Sequence, residues 1–169
     1  SSGDIDMVVV HTAQGSYSGT AWWFADPAAA ASAHYVIRSS DGEVTQMVWE
    51  EDIAWHSGHW DTNERSVGIE QEGYIDDPGT WYTDPMYQSL AALTSDLCGR
   101  HSFPCDRNHV IGHSEVPGCS GGSGPGAFRG ETRGGPLLNG ARFSIVGVRR
   151  VLHRRGSAWN SIWNSSWSS

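Results

Sequence analysis

Lysine is absent from the 169 residues, so eleven arginines carry all the positive charge. No apolar run approaches the ~20 residues a helix needs to cross a bilayer, so no membrane span is expected. The opening Ser1-Ser2-Gly3-Asp4 has neither a basic region nor an apolar one. The expectation is that a secretory leader was never present or has been removed. The net charge of -8 argues against nucleic acid as a general partner. Cysteine is scarce, with only Cys98, Cys105 and Cys119. Cys98 and Cys105 can pair across a helix end, which leaves Cys119 odd. Three reduced, buried thiols are the plain alternative.

Aromatic residues, by contrast, are plentiful: nine Trp and five Tyr, within a hydrophobic content of 38%. That composition is not a disordered one, and the length suits one domain with a sizeable core. Charge is unevenly spread. Residues 129–169 hold seven Arg and one acid, Glu131, whereas residues 1–128 hold four Arg and eighteen acids. The break suggests a foreign or functionally separate tail, an atypical Arg/Gly-rich stretch over 127–169 after a domain over 1–126. Such a tail is either irregular or the product of reading a GC-rich gene in the wrong frame. Trp159, Trp163 and Trp167 recur every four residues there among Ser and Asn, which form helices poorly. Truncation after Gly126 is expected to leave the fold standing.

Met7 to Val10 is a short apolar run of the kind that forms a buried strand, ending at His11. Thr20 to Phe24 reads as a short helix, stopped by Asp26-Pro27. Ala33 to Arg38 and Val44 to Trp49 read as strands joined by a Ser40-Asp41-Gly42-Glu43 hairpin turn. Val67 to Gln71 is another strand. Thr83 to Cys98 is the clearest helix, with Met86, Leu90, Leu93 and Leu97 at helical spacing, Thr83 to cap and Pro85 in the first turn. Val110 and Ile111 form a short strand leading into Gly112-His113. Strands alternating with helices imply an α/β or α+β sheet domain.

Two histidines stand at strand ends, where sheet-edge clefts form: His11 and His113. Two imidazoles meeting there can bind zinc, whose catalytic sites use three protein ligands and one open position. Glu70 and Glu72 share a strand face at i and i+2. A carboxylate beside such a metal can act as general base; two solvated acids are the bland alternative. Gly118-Cys119-Ser120-Gly121-Gly122 also matches the G-x-S-x-G elbow of serine hydrolases, with Glu131 and His153 following. That elbow needs a strand before it and a helix after it, and here Pro117 precedes while Gly, Ser and Pro follow.

Five blocks in order resemble one family. They are Val8-Val9-Val10-His11-Thr12, Ser32 through Gly42, Ala54-Trp55-His56-Ser57-Gly58, Arg65 through Gly73, and His109-Val110-Ile111-Gly112-His113. Together they are similar to the type-2 N-acetylmuramoyl-L-alanine amidases, whose fold the animal peptidoglycan recognition proteins share. The resemblance implies a central mixed β-sheet flanked by helices, with Zn2+ in a cleft on one sheet face. It makes His11 and His113 metal ligands and Glu70 the catalytic acid/base. It makes His34, Trp55 and His56 substrate contacts. Peptidoglycan or muropeptides become the partner, and the chain a secreted or cell-wall-associated monomer.

The family pattern also has a third ligand, an Asp or Cys, before a Pro-Gly, with a Lys or His nearby. Here Ser123-Gly124-Pro125-Gly126 keeps the Pro-Gly but no Asp, Lys or His precedes it. Cys119 is the nearest surrogate ligand and Glu115 the next. Two functions therefore follow from the resemblance: an amidase, or a non-catalytic peptidoglycan-binding module with an incomplete zinc site.

Overall fold

The computed structural model describes residues 4–118. The proposed tail over 127–169, Cys119, and the serine-hydrolase candidates Ser120, Glu131 and His153 lie outside the described residues.

Strand β1 (Met7–Thr12) leads into helix α1 (Tyr17–Ala25), followed by β2 (Tyr35–Ile37) and β3 (Val44–Gln46). Helix α2 (Trp60–Arg65), β4 (Ser66–Gln71), the single turn α3 (Pro78–Trp81), the long α4 (Asp84–His101) and β5 (Val110–Gly112) complete the order. A 3-10 turn, His113–Glu115, follows β5 directly. The five strands form one sheet in the order β3-β2-β4-β1-β5. Four run parallel, and β3 alone is antiparallel, as the hairpin partner of β2. A mixed sheet flanked by helices is the architecture the sequence implied.

The hairpin turns at Gly42, whose φ of +72° favours glycine. A Cβ there would also meet the Pro85 carbonyl oxygen at 2.4 Å, so the same residue lets the hairpin sit against the start of α4. Helix α4 begins as its sequence directs: the Thr83 side chain accepts from the Met86 amide, and Pro85 occupies the first turn. It ends at Ser102 in the left-handed conformation.

Alternation along the strands divides the sheet into two unlike faces. Val8, Tyr35, Ile37, Val67 and Ile69 pack with Met86, Leu93 and Leu97 of α4 into the main core. Leu97 is fully buried there, so Leu97→Ala would cost about 2–5 kcal/mol. The opposite face carries Ser66, Gly68 and Glu70 on β4 and His11 on β1. The disulfide Cys98–Cys105 ties the end of α4 to the loop returning toward β5, with Cα atoms 5.6 Å apart, as one reading of the cysteine spacing anticipated.

Candidate active site

Parallel register assembles the site. On β1, His11 stands opposite Glu70 of β4, and Val10 stands opposite Gly112 of β5. His113 follows Gly112 directly, so three adjacent strands deliver Glu70, His11 and His113 side by side at their carboxyl ends. Ligand crevices in parallel sheets open at such ends. The His11 and His113 Nδ1 atoms are 3.1 Å apart. The Glu70 Oε1 atom is 4.0 Å from His11 Nδ1.

Burial controls the chemistry. His11 is 3% exposed, and desolvation, reinforced by His56 and His113, holds its pKa well below the ordinary imidazole value. Burial likewise lowers His113. Both rings are therefore neutral at neutral pH and keep a lone pair. Glu70 is also 3% exposed, and burial pushes its carboxyl up to about 8. Its Oε2 atom has no hydrogen-bond partner. A buried carboxylate oxygen is rarely left so, and an orphan beside two neutral imidazoles marks a place for a polar ligand. The donor set suits a divalent metal that favours imidazole. Among the described residues, no group of three or more His, Cys, Asp or Glu could hold a metal.

Glu70 on β4 and Glu72 just past its end have parted roles. Glu72 accepts from the Tyr17 amide at 2.8 Å and from the Ser39 amide at 2.8 Å. It clamps the start of α1 to the end of β2, whereas Glu70 keeps an unpartnered Oε2 beside His11. Glu115 is committed elsewhere as well: its carboxylate caps the Gly112 amide at 2.7 Å and pairs with Arg107.

Of the three residues expected to touch substrate, only Trp55 is open, at 55% exposure. Its ring lies 5.3 Å from that of Trp60, at the start of α2. His34 is 1% exposed. Its Nδ1 accepts from the Gly68 amide at 3.0 Å, and its Nε2 lies 3.2 Å from the Asp52 carbonyl oxygen. With both ring nitrogens bonded inside the fold, His34 joins β4 to the loop after β3 and offers nothing to a ligand. His56 is also buried, wedged between His11 and Ser66, with Nδ1 3.0 Å from His11 Nε2 and Nε2 3.2 Å from Ser66 Oγ. It backs His11 rather than lining the cleft.

The supporting residues Ser66, Gly68 and Asn63 were not singled out from the sequence. Their one signal is alternation: Ser66 and Gly68 precede Glu70 at i−4 and i−2 on the same strand face. Asn63 carried no signal, because α2 is a short polar helix without apolar periodicity.

A family model described as N-acetylmuramoyl-L-alanine amidase matches residues 1–127. N-acetylmuramoyl-L-alanine amidase A of Achromobacter lyticus is 42% identical over 104 residues, which cover 62% of this chain and 57% of that protein. The 1,6-anhydro-N-acetylmuramyl-L-alanine amidase AmpD of Enterobacter cloacae is 35% identical over 123 residues, 69% of this chain and 57% of that one. The chain thus spans under two thirds of the length of these curated relatives. Among solved structures, a selenomethionine derivative of AmpD superposes with a TM-score of 0.51 at 31% identity, covering 73% of this chain and 80% of that one. AmpDH3 from Pseudomonas aeruginosa shares the fold with a TM-score of 0.58 at 23% identity, over 75% of this chain and 57% of that one. The sheet, its ordered motifs and a family match over three quarters of the sequence agree: this chain belongs to the N-acetylmuramoyl-L-alanine amidase family.

Proposed function

We propose that this chain is a zinc-dependent hydrolase that cuts the amide bond between N-acetylmuramic acid and L-alanine in peptidoglycan or muropeptides. The observation that carries this reading is the meeting of His11, His113 and Glu70 at three adjacent strand ends. The His11 and His113 Nδ1 atoms, 3.1 Å apart, bring together two imidazole nitrogens of the type that zinc favours. Cys119, six positions after His113, is the proposed third ligand.

Zinc, when bound, supplies Lewis acidity that polarises the scissile carbonyl and acidifies water. Glu70 accepts the proton of the attacking water. Its neighbours hold it in a dry pocket, where burial raises its affinity for that proton, and it passes the proton on to the departing nitrogen. Water adds to the carbonyl carbon, the C–N bond breaks, and the products are a lactyl carboxylate and a free L-alanine amine. Trp55 and Trp60 offer an exposed aromatic surface against which an apolar sugar face can stack.

A secreted or cell-wall location is supported by the Cys98–Cys105 disulfide, since such bonds persist in oxidising compartments. Among the described residues, no helix is long and apolar enough to cross a membrane. The second reading, a binding module without turnover, is favoured by one observation: Ser123-Gly124-Pro125-Gly126 keeps the family's Pro-Gly but no Asp, Lys or His precedes it. The deciding experiment measures zinc content beside release of amino groups from purified peptidoglycan. Zinc with new L-alanine amines is the expected result. Retained binding without zinc or cleavage would overturn the enzyme in favour of the module.

A further inference from the structure

We propose that the His56–Ser57 segment is a brace that selects which ring nitrogen His11 presents to a metal, and that His56 is a positioning residue for the first ligand. Its consequence for metal binding rests on the zinc reading above; the proton arrangement itself does not.

Ser66 Oγ donates to the Thr62 carbonyl oxygen at 2.5 Å. A carbonyl can only accept, so the one hydroxyl proton of Ser66 is committed there. Ser66 Oγ must then accept from His56, which places the proton of the neutral His56 ring on Nε2, 3.2 Å away. His56 Nδ1 is left as a lone pair and can only accept. The His11 Nε2 atom, 3.0 Å from it, must donate. The neutral His11 ring then carries no proton on Nδ1, and that lone pair faces His113 Nδ1 at 3.1 Å. The tautomer of the first ligand is thus dictated through two side chains, His56 and Ser66, by the Thr62 backbone carbonyl of α2. A neutral ligand histidine whose second nitrogen donates to a fixed partner is oriented and made more basic.

Space for the brace is built into β4. A Cβ on Gly68 would lie 2.4 Å from His56 Cγ and 2.5 Å from Cδ2, so only glycine lets the imidazole lie flat over the strand between Ser66 and Glu70. The backbone of the segment is held from α2. Buried Asn63 accepts through Oδ1 from the His56 amide at 3.3 Å and the Ser57 amide at 2.9 Å. The next residue serves the other ligand, because His113 hydrogen-bonds the Ser57 backbone. One two-residue step therefore orients both histidines.

Long-range 15N–1H correlation spectra of metal-free protein test the relay directly. The expected spectra show His11 and His56 each protonated at Nε2. In His56→Phe, His11 should become a mixture of tautomers, and zinc affinity should fall on the order of 10–100-fold. His56→Gln should restore much of both, since an amide can accept from His11 and donate to Ser66 in the same sense. Ser66→Ala removes one hydroxyl at little risk to folding and should free His56 to change tautomer. Thermal unfolding of each variant identifies any that fail to fold. An Nδ1-protonated His11 in the wild type would overturn the proposal. So would unchanged His11 spectra and zinc affinity in folded His56→Phe and Ser66→Ala. A wild-type chain that binds no zinc would instead overturn the metal reading, and the tautomer spectra would still decide the brace.

Discussion

His11 and Glu70 are register partners on adjacent parallel strands, so a metal-ligating type and a proton-transferring type share one edge of the sheet by backbone pairing alone. Sliding β1 by one residue would turn His11 into the apolar core under α4. The site is therefore as firmly specified as the core: the alternation that packs Val8 and Ile69 under α4 also places His11 and Glu70 together on the opposite sheet face.

Glu70→Ala should lower turnover by a factor on the order of 10² or more, the usual cost of losing a general base, while zinc content stays near the wild-type level. Metal analysis beside amine release from peptidoglycan checks both. Unchanged turnover would remove Glu70 from the chemistry.

His11→Ala and His113→Ala should each abolish stoichiometric zinc. Zinc bound to the folded wild type should also raise its melting temperature, because a ligand at 100 times its dissociation constant stabilises by about 2.7 kcal/mol. Calorimetry with and without a chelator reads this. A melting temperature indifferent to zinc in the wild type, or zinc retained by either variant, would separate these histidines from metal binding.

Reducing the Cys98–Cys105 disulfide should destabilise the domain by roughly 2–3 kcal/mol, the chain-entropy figure for so short a closed loop. The bond joins the end of α4 to the loop before β5, and so supports the strand that leads into His113. Denaturant titrations of oxidised and alkylated protein measure the difference. Equal midpoints would show that the bond adds nothing to the fold.

The fold was legible where patterns are long or exclusive. Met86, Leu90, Leu93 and Leu97 repeat at helical spacing, and α4 lies where they predict, extended by one turn to His101. Apolar runs marked β1, β4 and β5. The strands around the hairpin proved shorter than their apolar patterns, with β2 at Tyr35–Ile37 and β3 at Val44–Gln46, because strand length is set by the partner's pairing. Helices α2 and α3 went unseen: six and four residues hold too few turns to show a periodicity. In the site, strand-end histidines were visible, but the fates of His34 and His56 were not. Burial of a histidine depends on what crosses above it, here Gly68 and Ser66, and nothing in the local sequence records that crossing.

Glu50 accepts from both terminal guanidinium nitrogens of Arg100, at 2.6 and 3.0 Å, lies 2.7 Å from His101 Nε2 and accepts from the Tyr35 hydroxyl. Burial by itself would raise its pKa, but the bonds from Arg100, Tyr35 and His101 outweigh it and hold the carboxyl at about 2. A group with a folded pKa depressed below its unfolded value contributes stability that is fully present above the unfolded value, near 4.5, and is lost as pH falls through about 2. After discounting for the partly exposed Arg100, the contribution is about 2 kcal/mol at neutral pH. Glu50→Gln should therefore destabilise the protein at pH 7, and the gap to wild type should narrow steadily between pH 5 and pH 2. Denaturant midpoints of both proteins across that range supply the measurement. A gap that stays constant as pH falls would mean that packing of the side chain, and not its charge, is what ties the end of α4 to the loop after β3.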